Sequence, residues 1–218
     1  MKLAHSLAGF AAVVFTAGAH AALLSEGFDD VTTLPGAGWV QTNNSTPVGT
    51  TGWFQGNAGV FASQAGAANA YIAANFNNSN GIGGGIDNWL ISPELALAGG
   101  GTLTFYTRTA DAAFGDVLQV LFNAGSSSAT ADFTTSLLTV GDPPPYPDAD
   151  WMSFSVALPS AATGRFAFRY LVPDSSNADF IGIDSVRVDA AVVPEPESWA
   201  LLALGVAAMT ARRHRRAA

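Results

Sequence analysis

Five apolar runs between residues 102 and 188 follow a strand's logic, and turn formers close each one. In "TLTFYTRT" (102–109), Leu103 and Phe105 alternate with Thr102 and Thr104; in "WMSFSVAL" (151–158), Met152, Phe154 and Val156 do the same with polar or small neighbours. "RFAFRYLV" (165–172) places Phe166, Phe168 and Tyr170 on one face, and "FIGIDSVRV" (180–188) is the last run. "DVLQVLFN" (116–123) is apolar on both faces, as a strand inside a sheet would be. Between the runs stand "AGGG", "TADAAFGD", "GDPPPYPDAD", "LPSAATG" and "PDSSNAD". No stretch of residues 22–192 keeps apolar side chains at helical spacing for three turns. Period-2 runs at such short intervals predict an all-β chain, an antiparallel β-sandwich.

The earlier part of the chain is looser. "LLSEGFDD" reads as a first strand and "NAYIAAN" (69–75) as another, separated by long Gly-, Asn- and Ser-rich loops. "DNWLISPEL" (87–95) is a strand running into Pro93, which suits a sheet edge or a strand end. "GIGGG" (81–85) lacks the Lys-Ser/Thr of a phosphate loop and is read as a flexible connection.

The chemistry missing from this segment excludes more than its composition suggests. Residues 22–192 hold no His, no Cys and no Lys; the three histidines, His5, His20 and His214, lie near the ends. That removes Ser-His-Asp and Cys-His nucleophilic systems, imidazole or thiolate zinc sites and Schiff-base chemistry. It also removes disulfide staples. Fifteen Asp or Glu stand against four Arg, a net charge of −11, which argues against nucleic acid as a partner. Paired carboxylates of the glycosidase kind remain as a catalytic alternative, but Glu26 and Glu94 are the only glutamates there.

Both ends of the chain are apolar. Residues 1–21 read as a secretory signal: Lys2 at the start, an apolar centre over 7–17 and the small-x-small site Ala19-His20-Ala21. At the other end, fourteen uncharged residues, 198–211, separate Glu197 from Arg212. As a helix they cover roughly 21 Å at 1.5 Å per residue, against a hydrocarbon core of about 30 Å. Such a segment spans only a thinned bilayer, with the arginines on the cytoplasmic side and the domain outside.

Val193-Pro194-Glu195-Pro196, the apolar run, and then Arg212, Arg213, Arg215 and Arg216 together resemble the PEP-CTERM sorting signal of Gram-negative bacteria. The resemblance covers residues 193–216, within a sorting segment read over 193–218, and implies processing by an exosortase, a membrane enzyme proposed to cut near the motif. It also implies a destination at the cell surface or in an exopolysaccharide matrix, with the membrane held transiently through the tail.

A second resemblance covers nearly all of residues 22–192. Glu26-Gly27-Phe28-Asp29, Leu34-Pro35, Gly38-Trp39, Asp87-Asn88-Trp89-Leu90-Ile91-Ser92-Pro93, Phe168-Arg169-Tyr170 and Ile183-Asp184-Ser185-Val186 together look like the choice-of-anchor J and cleaved-adhesin domains. Those are jelly-roll sandwiches akin to MAM domains. In such a fold the first and last strands lie side by side, which brings Asp29 near Asp184, with Glu26 or Asp30 as further oxygen donors. An all-oxygen donor set suits a hard cation, and the resemblance implies a structural Ca²⁺ there; the spacing alone does not. The alternative is ordinary solvated carboxylates.

Trp39, Trp53, Phe54 and Trp151 are the aromatics to weigh as a sugar-stacking platform. Trp39 and Trp89 fall in motifs read as core, whereas Trp53 and Phe54 sit in the loop-like "TTGWFQGN" and are the ligand candidates. The expected function is that of a non-catalytic surface or matrix protein with an adhesin-like binding jelly roll, associated with exopolysaccharide or biofilm. An exported polysaccharide hydrolase working through carboxylates and a purely structural matrix component are the alternatives.

Overall fold

The computed structural model describes residues 22–81 and 83–191. The signal read over 1–21 and the sorting tail read over 193–218, apolar helix included, lie outside the described residues. The chain runs through β1 (Ala22–Glu26), β2 (Val40–Asn43), β3 (Phe54–Gln55), β4 (Ile72–Asn75), β5 (Ile86–Ile91) and β6 (Leu95–Leu97). It continues through β7 (Gly101–Thr109), β8 (Leu118–Asn123), β9 (Thr135–Val140), β10 (Met152–Leu158), β11 (Ala161–Val172) and β12 (Phe180–Ala190). The only helices among the described residues are four short 3-10 turns.

The strands form two antiparallel sheets, as the period-2 runs require. One has the order β10-β7-β12-β4-β3, with β1 also paired to β12; the other has the order β2-β5-β11-β8-β9, with β6 also paired to β11. Strand β8, apolar on both faces, lies between β11 and β9, where a strand of that composition belongs. Strand β5 lies between β2 and β11, so Pro93 marks a strand end and not a sheet edge. After Pro93 the chain re-enters the sheet as β6. Strand β11 begins at Ala161, inside a stretch that reads as a turn, because its first residues pair with β6.

Between the sheets the alternating side chains meet. Leu103 and Phe105 of β7 and Phe166, Phe168 and Tyr170 of β11 are fully buried. Aromatic rings run through this core in sequence: Phe28 to Trp39 at 5.8 Å, Trp39 to Phe166 at 5.9 Å, Phe166 to Phe168 at 5.4 Å, Phe168 to Phe105 at 4.9 Å. Most of these contacts are edge-on or tilted, the arrangement aromatic quadrupoles favour.

Each sheet also covers a patch on its outer face. Trp89, Ile91, Leu121, Ala167 and Phe133 pack together outside β5, β8 and β11. Phe61, Tyr71, Ala73 and Phe180 form a second cluster outside β4 and β12, joined by Phe54 and Trp151. Gly182 makes the second cluster possible: a Cβ there would stand 2.8 Å from Trp151, 2.9 Å from Phe61 and 3.0 Å from Tyr71. The missing side chain is space for three rings.

Candidate functional site

Strand β12 changes partners halfway along. Its first residues, Phe180 to Ile183, pair with β4, and residues from Val186 onward pair with β1. On its other side the ladder with β7 shifts register between Asp184 and Arg187. Asp184 and Ser185 occupy this handover, and Ser185 has φ 51, a left-handed conformation uncommon for a residue with a side chain. A bulge and a left-handed residue together re-aim the chain, a combination often found beside functional sites.

The side chain of Asp184 is fully buried. Its Oδ2 accepts the amides of Gln64 at 2.8 Å and Ala65 at 3.1 Å; its Oδ1 accepts the Ser185 amide at 2.5 Å. Burial raises its pKa, opposed by the amide donors of Ala65, Ser185 and Gln64. No Lys or Arg makes an ion pair with it among the described residues. An unpaired buried carboxylate is costly unless amides, a proton or a cation compensate it.

Strand β1 delivers the other acidic residues to this junction, since Glu26 pairs with Val186. Phe28 follows with φ 52 and is fully buried. The Gln55 side chain fixes the segment, donating to Phe28 O at 2.9 Å and Asn69 O at 2.6 Å and accepting from Val31 N at 3.0 Å. Asp29 reaches the same 64–66 loop that caps Asp184: its Oδ1 would stand 3.2 Å from a Cβ on Gly66. Gly66 has φ +81, so both its backbone and that contact favour glycine.

The two other carboxylates expected here are otherwise engaged. Glu26 Oε1 accepts the Phe28 amide at 2.8 Å. Asp30 is exposed and caps the 3-10 turn Val31–Thr33, accepting Thr32 N at 2.9 Å and Thr32 Oγ1 at 2.6 Å. Those bonds lower its pKa. Among the described residues no three His, Cys, Asp or Glu side chains converge as a metal cluster. Of the carboxylates expected to hold a cation here, Asp29 and Asp184 are the two that reach the same loop, 64–66, and carboxylate oxygens are the donor type Ca²⁺ takes.

The ligand role expected for Trp53 is corrected by its burial. Trp53 is 5 % exposed in the main core, with its indole N–H unpartnered, so it presents no face to a sugar. Phe54 is half-buried and packs edge-on against Phe180 at 5.8 Å. Trp39 and Trp89 are both buried, at 2 % and 4 % exposure. Trp151 is half-buried, and its indole N–H donates to Ala62 O at 2.9 Å. The four aromatics do not form one platform. The stretch that reads as a loop around Trp53 conceals β3, a two-residue strand too short to show a period.

Residues 192–216 match the PEP-CTERM protein-sorting motif. The chain is similar to proteins of Porphyromonas gingivalis: 30% identical over 116 residues to Hemagglutinin A and 30% identical over 153 residues to Gingipain R1. Those matches take in 48% and 64% of this chain but only 4% and 8% of the relatives' own length. Among solved structures, the K3 cleaved adhesin domain of Lys-gingipain aligns with a TM-score of 0.60 at 24% identity, over 79% of this chain and 100% of that domain. The K1 cleaved adhesin domain aligns with a TM-score of 0.56 at 26% identity, over 78% of this chain and 98% of that domain. The chain thus carries a PEP-CTERM protein-sorting motif at residues 192–216, behind a sandwich with the fold of the cleaved adhesin domains of Lys-gingipain.

Proposed function

We propose that this is a non-catalytic exported protein that displays an adhesin-like binding sandwich at the surface or in the extracellular matrix of a Gram-negative cell. The observation that carries the reading is the junction of the two parts: the last strand ends at Ala190 and the sorting motif begins at residue 192. A sorting enzyme of the exosortase type acts on the Val193–Pro196 segment, and the apolar run ending at Arg212 and Arg213 holds the chain in the membrane until then. Exopolysaccharide is the surrounding in which the sandwich works. Deleting residues 194–218 moves the protein from the envelope fraction into the medium or periplasm. Unchanged fractionation of the truncated chain would overturn the sorting role.

The same reading includes a structural Ca²⁺ between Asp29 and Asp184, supported by the approach of both residues to the 64–66 loop and by the burial of Asp184 without an Arg or Lys ion pair among the described residues. A cation held at 100 times its dissociation constant stabilises a fold by about 2.7 kcal/mol. Chelation with EDTA therefore lowers the melting temperature by about 5–10 °C in a domain of this size, and added Ca²⁺ restores it. The Asp184→Asn variant loses the response. A parent melt indifferent to EDTA, or a variant that responds as the parent does, removes the ion.

A further inference from the structure

Strands β9 and β10 end their respective sheets, and the connection 141–151 crosses between them. Beside this crossing lies a cavity of about 780 Å³, bounded by the connection, the end of β9, Tyr106 of β7, and Met152 to Phe154 at the start of β10. Its lining includes Asp142, Asp148 and Asp150 and contains no Lys or Arg. Tyr106 and Trp151 also line it, and both are half-buried.

The cavity opens on a strand edge. Among the described residues β10 pairs with β7 alone. In an antiparallel ladder, N–H and C=O groups point alternately to either side, so about half of those of β10 face outward. Its sequence, "MSFSVAL", has no charge, proline or glycine, none of the devices that usually protect an end strand. Met152 is 51 % exposed where this edge meets the cavity.

We infer that the β10 edge and the adjoining cavity together take an extended peptide segment, which adds to the sheet as a further strand and places a Lys or Arg side chain among Asp142, Asp148 and Asp150. Main-chain bonds supply affinity in this mode of recognition, and a pocket for an alternate side chain supplies selectivity. Carboxylates and aromatic rings around one cavity select a cation. A glycan would leave the strand edge unused.

A second copy of this domain does not meet the requirement. It has no Lys, and its four arginines are engaged. Arg169 pairs with Asp87 and Arg187 with Asp189, both at 2.6 Å. Arg165 donates to Ser92 O and Ser126 O, and Arg108 donates to Asp148 O while lying 4.5 Å from the Phe61 ring centroid. Two copies would bring like charge together.

This inference rests on the sandwich being a binding module, and its test is independent of sorting. The full chain in detergent is titrated with a short alternating Thr/Val peptide carrying lysines, with the same peptide carrying glutamates, and with the lysine peptide N-methylated at alternate residues. The lysine peptide binds, the glutamate peptide does not, and methylation along the pairing edge abolishes binding. The double variant Asp148→Asn/Asp150→Asn weakens binding about tenfold, the effect of losing two partly exposed ion pairs, with an unchanged melting temperature. Equal binding of the two peptides, indifference to methylation, no peptide binding, capture of a neutral oligosaccharide alone, or self-association through β10 each overturns it. Failure here with normal envelope fractionation leaves the sorting reading standing; release from the envelope is read in the other experiment.

Discussion

Phe168→Ala lowers the stability of the sandwich by about 3–5 kcal/mol, the cost of removing a large ring from a packed core. Phe168 is fully buried on β11 and meets both Phe105, from the facing sheet, and Phe166, from its own strand. It joins the two halves of the aromatic row, so the vacated space is walled by rigid rings on strands that cannot collapse into it. Domains of this kind have about 5–15 kcal/mol in total, so the variant sits near the folding threshold. Urea denaturation of both proteins measures the difference. A loss under about 1 kcal/mol would mean that the sheets do not pack through this ring. Phe168→Leu, which keeps most of the volume, is the milder control.

The same row explains what the sequence made readable. Phe166, Phe168 and Tyr170 alternate without interruption, so their strand and its buried face follow from period alone, and β7 and β10 are readable for the same reason. Strand β9, "TSLLTV", has two adjacent leucines and no alternation, while β2, β3 and β6 are four, two and three residues long. Those strands exist because a neighbouring strand offers a ladder, a tertiary cause with little local trace. The pairing of β1 with β12 was expected from the jelly-roll likeness and is present.

The candidate sites divide along the same line. Asp184 and Asp29 were readable through the resemblance to cleaved-adhesin domains, but the Gln64 and Ala65 amides that grip Asp184 lie about 120 residues away in a featureless Ala/Gly stretch. Trp53 misleads because turn-forming neighbours mark a loop, yet a single bulky ring in a loop is often the one that plugs the core. Strand β10 was visible from its period, but its position at the end of a sheet depends on strand order, which no local pattern encodes.

Asp116→Ala destabilises the sandwich at neutral pH by about 3–5 kcal/mol, because it strands several buried donors at once. Asp116 is 1 % exposed; its Oδ2 accepts the Thr109 hydroxyl at 2.6 Å, and its Oδ1 accepts the Tyr170 hydroxyl and the Asp179 amide, the latter at 3.0 Å. Burial raises the Asp116 pKa, and the bonds from Thr109, Tyr170 and Asp179 only partly oppose this. Its folded pKa thus lies above the unfolded value of about 3.9. The fold favours the protonated form, so this group's contribution is fully present below about pH 4 and is lost as pH rises through the folded pKa. Asp179 shifts the same way, through burial and then the nearby charge of Asp116. The exposed Asp30 and Asp174, whose pKa values are lowered by hydrogen bonds to Thr32 and Ser176, act oppositely below about pH 4. Stability should therefore peak in mild acid and decline toward neutrality. Asp116→Asn keeps an acceptor for Tyr170 and the Asp179 amide, removes the buried charge and relieves Asp179. Its melting temperature should fall less steeply than the parent's between about pH 4 and 7. Thermal melts across that range decide the matter: an Asn variant with a steeper decline, or an Ala variant as stable as Asn, would show that Asp116 does not hold this end of the sandwich by its charge and its bonds.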